Sequence, residues 1–387
     1  MALSTYSGAA SFDVGAGTLN LDLSQELEEV IRQDNTALLN RVGSGGITAT
    51  QVKHEWINDS LNANSATESG VGIDAAVTSV SVAAGEGGRF KVGTLIKDNT
   101  AGKTEVMQVT AVATDALTIV RGYGSTTGEA HAASFPVMII AHTKQEGWEP
   151  AGEDWTKERT NSYNYTQIFG RGINIGYTRQ AIDHAAIPND FAHQTAYRTK
   201  EAMRELDSSL INGIRSTDAG SDTSYRSAGG LIEFVSAAGG NVTTTPEELV
   251  PSVINAMAKQ IWDDAGFAPG ANLFLLVGGV QKRKIAAFDQ AYRRMDFNSN
   301  AVGYTVNKFL TDLGFELEII VDPWMPDDTV IMGDWSRIKV GPLASDTLRV
   351  EDLAKTGRSI QAMVTGQYTN EVRSPLQAFA IHSGLTS

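Results

Sequence analysis

Apolar positions recur three and four residues apart from Ile187 to Ile214: Phe191, Thr195, Thr199, Ala202, Met203, Leu206, Leu210 and Ile214 share one face, while Arg198, Lys200, Glu201, Arg204, Glu205 and Asp207 supply polar ones. The spacing predicts a helix over 187–214, roughly 35 to 40 Å long at 1.5 Å per residue. A shorter amphipathic helix is predicted in "LSQELEEVIRQDNTALLNRV", with Leu23, Leu27, Val30 and Ile31 on one side and Ser24 as N-cap. Before it, Ala2 to Asn20 has neither a helical nor a strand period and reads as an extended arm. Between Ala76 and Ala141 the texture turns to β: "VTSVSVAA", "EVMQVTAVATDALTIVRGYG" and "FPVMIIA" alternate or bunch β-branched residues between Gly, Asn and Asp turns. The polar, Trp-bearing flanks lead out to this module and back, so it reads as an insertion at the tip of a long excursion. After Gly240 helices and strands alternate. "TTPEELVPSVINAMAKQIWDDAG" predicts a helix starting with Thr245 as N-cap, Pro246 at its first position and Glu248 closing a capping box. "NLFLLVGG", "FELEIIVD" and "DTVIMGD" read as buried strands, with a helix from Val280 between the first two. The tail after Ser345 adds strand to a sheet begun earlier.

Composition narrows the partners. The 387 residues carry 45 acidic and 31 basic side chains, a formal charge of -14, so nonspecific attraction to nucleic acid phosphates is disfavoured. Cys is absent, which excludes disulfides and thiolate metal sites. The opening residues lack the pattern of a secretory signal, and no apolar run reaches membrane-spanning length. A soluble chain made in the cytoplasm is the expectation.

Candidate chemistry is sparse. None of the six His pairs at i, i+4, so no metal site is expected. Glu149, Glu153 and Asp154 between Trp148 and Trp155 have the texture of a sugar site, but a solvated loop edge anchored by the two indoles explains them more simply. "GRGINIG" echoes a dinucleotide fingerprint without a helix opening on it. No catalytic or cofactor-binding residue is assigned. The one concentrated feature is basic: Lys282, Arg283, Lys284, Arg293 and Arg294 lie on one predicted helix. A solvated face, partly neutralised by Asp289 and Asp296, and a dedicated contact with an acidic protein surface both fit.

Arm, helix, two-legged excursion, beam helix, α/β unit and returning sheet form an order that resembles the major capsid proteins of tailed bacteriophages, with the Hong-Kong-ninety-seven fold. The likeness extends to strings: "DNTALLNRVG", although Ala37 stands where a Pro is often found; "HEWINDSLNAN" and "NYTQIFGRGINIGYTRQAI" around the extended loop; "VQKRKIAAFDQAYRR", "VDPWMPDDTVIMGD", "LAKTGRS" and "GQYTNEVRSP" beyond. The resemblance implies an α+β capsid fold with a small all-β insertion. Its parts would be an N-terminal arm and helix at 1–50, extended-loop legs at 51–75 and 142–170, and the module at 76–141. A peripheral domain with its spine helix would cover 171–228 and an axial domain 229–344. A peripheral return would follow at 345–374 and a last axial strand at 375–387. It implies a non-enzymatic virion protein, assembled in the host cytoplasm into pentamers and hexamers of an icosahedral shell around double-stranded DNA. Scaffold, portal and cement proteins would be further partners, with no cofactor and no membrane. The five cations, with Trp56, Trp148 and Trp155, become expected contacts between subunits. The family's covalent cross-link does not carry over, because its Lys and Asn partners have no match. Two other readings stand beside this one: an encapsulin-like nanocompartment shell, and a carbohydrate-binding or carbohydrate-active protein.

Overall fold

A computed structural model describes residues 36–59, 61–149, 155–156, 159–182, 187, 189–239, 241–264, 272–288 and 307–386. The arm and the predicted helix before Thr36 lie outside these residues. The chain packs as two units, one formed by Ile57–Thr160 and the other by the segments on either side.

Helix α1 (Ala37–Val42) is followed by strand β1 (Lys53–Asn58), which leads toward the first unit. That unit is a six-stranded sheet built from β2 (Ser65–Thr67), β3 (Ser79–Ser81), β4 (Thr94–Asp98), β5 (Val106–Ala113), β6 (Ala116–Val120) and β7 (Pro136–His142), in spatial order β2-β7-β4-β5-β6-β3. The period-two alternation does the sorting, since successive strand residues face opposite sides. Val80, Ile96, Met107, Val109, Leu117, Ile119, Val137 and Ile139 turn to one core, closed by Phe90 and Phe135. The sheet begins earlier than the 76–141 module read from sequence, because β2 pairs with β7. Gly87 is required by close approach, as a Cβ there would lie 1.8 Å from the Thr114 carbonyl oxygen. The carboxylate of Glu68, 3% exposed, ties one corner by accepting the amides of Gly70, Val71, Gly72 and Ser134. Burial pushes its pKa up, but these four bonds outweigh burial and hold it below the ordinary 4.5.

The chain returns through β8 (Thr160–Tyr165), paired with β1. The second unit continues with β9 (Gln167–Gly176), α2 (Tyr177–Ala181), α3 (Asp190–Asn212), α4 (Leu231–Ala238), β10 (Val242–Thr243), α5 (Pro251–Asp264), β11 (Leu273–Val277), α6 (Gly279–Ala286), β12 (Lys308–Leu310), β13 (Glu316–Val321), β14 (Val330–Asp334), β15 (Ile338–Pro342), β16 (Arg349–Asp352), β17 (Ser359–Val372), α7 (Pro375–Ala378) and β18 (Phe379–His382). Helix α3 corresponds to the beam expected over 187–214. Asn189 caps it, its side-chain oxygen accepting the Ala192 amide at 3.2 Å. Ala202, Leu206, Leu210 and Ile211 form its buried stripe. Helix α4 carried no prediction.

Two sheets organise this unit. The long strand β17 pairs with β9 from Ser359 opposite Gly176 to Tyr368 opposite Gln167, and also with β15 and β16. The other sheet runs β10-β18-β14-β11-β13-β12. Strand β11, buried at all five positions, lies parallel to β13 and antiparallel to β14, and the chain's last strand completes the sheet beside β14. Helix α5 lays Val253, Ile254, Met257, Ala258 and Ile261 into the core. The Val, Ile and Met side chains, fully buried, contribute about 1.5–3 kcal/mol each.

The capping box predicted at Thr245, Pro246 and Glu248 is not the start of α5, which begins at Pro251. A proline and a distant partner combine to prevent it. Pro251 has no N–H for the carbonyl of Glu247 and disfavours helical geometry at Val250. That carbonyl instead accepts the Thr386 amide at 3.0 Å, holding the segment beside the C-terminal tail.

Candidate assembly surfaces

Helix α6 starts directly after the buried strand β11, so its register is set by the core. Gln281 and Ile285 point inward, both 0% exposed. Lys282, Arg283 and Lys284 are thereby turned outward to differing degrees. Arg283 is exposed; Lys282 is half-buried, and that burial pushes its pKa below the ordinary 10.5. Lys284 Nζ donates to the Thr386 carbonyl oxygen, which Gln281 Nε2 also approaches at 3.3 Å while bonding the Asp327 carbonyl at 2.7 Å. The basic helix therefore seats the chain's own C-terminal tail. Arg293 and Arg294 lie outside the described residues.

The three tryptophans differ. Trp56, expected at a contact between subunits, is covered by its own chain: it is 5% exposed, with its ring centroid 5.8 Å from Phe234 and 6.2 Å from His54. An aromatic on β1 that buries itself against α4 has no face left for a neighbour. Trp148 and Trp155 are 44% and 37% exposed. Lys144 Nζ lies 4.7 Å from the Trp148 ring and 5.9 Å from that of Trp155, Lys91 Nζ lies 5.6 Å from Trp155, and His142 meets Trp155 edge-on at 4.6 Å. Cation–π contacts of this exposure are worth about 0.5–1 kcal/mol. They order an apolar, positively charged surface. Of the carboxylates Glu149, Glu153 and Asp154, only Glu149 is among the described residues.

A buried ionic cluster inside the Ile57–Thr160 unit carried no prediction. Glu105, 0% exposed, accepts Arg121 Nε at 2.8 Å and Nη2 at 2.7 Å, the amides of Gly122 and Glu129 at 2.9 and 2.7 Å, and His131 Nε2 at 3.0 Å. Asp98 meets His131 Nδ1 at 2.8 Å. Burial pushes Glu105 up, yet the Arg121, amide and His131 bonds prevail and bring it down to about 2. Arg121 also donates to the carbonyls of Asp74, Val77 and Glu129, so one guanidinium joins two loops to the sheet. The available signal was Arg121 itself, placed directly after the buried alternation of β6.

An open depression of about 400 Å³ is lined by Gln167, Arg171, Glu201, Glu205, Asn212 and Trp324, among others. Its charges pair within it, Arg171 with Glu205 at 2.8 Å. Among the described residues no cluster of three or more His, Asp or Glu could hold a metal ion, and no helix is long and apolar enough to cross a membrane.

The family model for the SU10 major capsid protein matches residues 5–386. No curated protein matches the chain. Among solved structures it is similar to the capsid of a native GTA particle computed with C5 symmetry, at 9% identity and a TM-score of 0.53, over 98% of this chain and 100% of that one. It is also similar to chains of Microbacterium phage Oxtober96 (12% identity, TM-score 0.48, 94% and 96% covered) and Gordonia phage Cozz (14%, 0.47, 100% and 98%). The first likeness carries the fold, an α+β architecture of the Hong-Kong-ninety-seven type. Neither the nanocompartment nor the carbohydrate reading is favoured by these matches. Matched over nearly its whole length, the chain belongs to the SU10 major capsid protein family, whose members build the icosahedral shell of the tailed phage virion.

Proposed function

We propose that this subunit assembles into pentamers and hexamers that close around double-stranded DNA, in the host cytoplasm and without catalysis. In this reading α3 is the spine of a peripheral domain at 171–228 and 345–374, and the sheet centred on β11 belongs to an axial domain at 229–344 that the chain's end rejoins. The Ile57–Thr160 unit is an enlarged extended loop. Trp148 and Trp155, with their lysines, would meet a neighbouring copy, and Arg283, with Arg293 and Arg294, would meet acidic side chains of an adjacent subunit. Charge complementarity of this kind sets orientation more than strength. A chain of formal charge -14 would hold DNA without gripping it, and scaffold, portal and cement proteins would act on the shell from outside this chain.

The observation that carries the proposal is the match to the SU10 major capsid protein family over residues 5–386, joined to the likeness, over 98% of this chain and 100% of that one, to a chain of a capsid computed with C5 symmetry. Electron microscopy of the purified chain tests it: shells with fivefold and sixfold capsomers are expected, and virions should yield nuclease-protected DNA. Persistence as monodisperse monomers across salt and crowding conditions would overturn it.

A further inference from the structure

The middle of α3 is a positive strip in a chain of formal charge -14. Between Arg198 and Glu205, with Arg171 beside them on β9, stand the cations Arg171, Arg198, Lys200 and Arg204 and the carboxylates Glu201 and Glu205, an excess of two positive charges. Glu205 pairs with Arg171 at 2.8 Å and Glu201 with Arg198 at 2.6 Å, so both carboxylates are engaged within the strip. Arg171 and Arg204 line the open depression of about 400 Å³, whose wall continues through Ser208 and Asn212 to Trp324 and to Ile214, 73% exposed.

The described chain starts at this depression. The Leu38 amide donates to Asp322 Oδ2 at 3.3 Å, and the same carboxylate takes the Trp324 amide at 2.9 Å. The Leu39 amide donates at 2.7 Å to Asp207, the residue before Ser208, and Asn212 Nδ2 donates to the Trp324 carbonyl at 2.7 Å. Thr36 is thereby placed at a rim that Trp324 and Ser208 form. The residues before it are complementary to what lies there. Residues 22–34 hold Asp22, Glu26, Glu28, Glu29 and Asp34 against Arg32, an excess of four negative charges. Leu23, Leu27, Val30 and Ile31 recur at helical spacing, and at about 3.6 residues per turn Glu26 and Glu28 flank that stripe on its two sides. The lengths agree as well. A helix from Leu23 to Ile31 is about 13 Å long, against about 20 Å of α3 from Glu201 to Ile214. Arg32 to Asn35, extended, reach about 13 Å from Thr36.

We propose that the depression is the seat of the chain's own segment 22–34: the apolar stripe settles into it, and Glu26 and Glu28 reach the cations Arg171 and Arg204 at its sides. The tether favours this occupant over the same segment of a second copy, because a short connection holds it at an effective concentration on the order of millimolar. The contact belongs to the single subunit and is independent of shell assembly.

The chain has no Cys, so introduced thiols report the seat without background. In the full chain Ser24→Cys is combined with Ser208→Cys or, for reference, with Asp263→Cys on α5. Helix α5 packs on the face of β11 opposite α3, since Leu275 joins the α5 core and Phe274 that of α3. A short bismaleimide joins the thiols, and mass spectrometry of isotope-labelled and unlabelled chains, mixed before assembly, separates links within one chain from links between two. Linking to position 208 should occur within one chain and about tenfold or more faster than linking to position 263. Adding Leu27→Asp and Val30→Asp should slow it about tenfold or more, because two apolar side chains no longer leave water. Asn212→Cys takes the place of Ser208→Cys if that chain does not fold. Equal rates to the two positions, links mainly between chains, or a rate unchanged by the two aspartates overturns the proposal. The readout is the same whether or not shells form, so its failure and that of the assembly reading are distinguishable.

Discussion

Replacing Glu105 by Gln removes the charge around which the smaller unit is organised. The native carboxylate collects five donor contacts from Arg121, Gly122, Glu129 and His131 at 2.7 to 3.0 Å, in a position 0% exposed. A Gln of the same shape keeps one oxygen but turns an NH2 toward groups that only donate, and it leaves Arg121 without its counter-charge. Breaking a buried pair in this way costs about 3–5 kcal/mol. The depressed pKa of Glu105 gives a second figure. A carboxyl whose ordinary value of 4.5 falls to about 2 in the fold contributes about 3 kcal/mol at neutral pH.

The sign is that of a depressed acid. The contribution is complete above the ordinary value of 4.5 and is lost as pH falls from there toward about 2, where the fold finally accepts the proton. Hydrogen exchange on the full chain, comparing peptides of β4, β5 and β6 with α5 as reference, should show Glu105→Gln lowering protection in the sheet by about two orders of magnitude at neutral pH. The wild-type excess over the variant should then shrink on acidification. Asp98, Glu68 and Glu129 are also held below their ordinary values, so the difference between wild type and variant, not the wild-type slope alone, isolates Glu105. A loss of less than tenfold, or a difference that does not vary with pH in that window, would refute the account.

Reversing the charge of Arg283 together with Arg294 should reduce the yield of shells in micrographs while leaving the circular dichroism of the subunit unchanged. Ile254→Ala, at a position 0% exposed in the α5 core, should destabilise the larger unit by about 2–5 kcal/mol in urea titration. Gly341→Ala should lower its melting temperature, because the added Cβ would lie 1.9 Å from the Ile47 carbonyl oxygen. Replacing 65–142 with a short Gly/Ser bridge should leave exchange protection of α3 and α5 intact; a chain that no longer folds would show that the smaller unit is part of the core.

What sequence made legible was what local periodicity encodes. The stripe of Ala202, Leu206 and Leu210 marks α3, and the alternation in "ALTIV" marks β6. What it hid depends on partners distant in the chain. The start of α5 was misplaced because the competing bond to the Glu247 carbonyl comes from Thr386, at the far end of the sequence. Trp56 read as an exposed aromatic on a polar leg, since nothing nearby announces Phe234. Asp207 carried a usable sign: it lies three and four residues before Leu210 and Ile211, within the buried stripe, where a lone acid requires a partner. Its partner, the Leu39 amide at 2.7 Å, could not be found from spacing, because α1 and α3 meet only in the folded chain.

The two units are held by unlike means, and this has a consequence for pH. The smaller has one modest apolar core and relies on Glu105 remaining ionised, whereas the larger buries two extensive apolar clusters about its sheets. Acid therefore weakens the module first, as the carboxylate gains its proton below the ordinary value of 4.5. One exchange series across that range on the full chain tests this, because a general loss of stability would expose α5 and the β4–β6 sheet together, whereas protonation of Glu105 must expose the sheet alone.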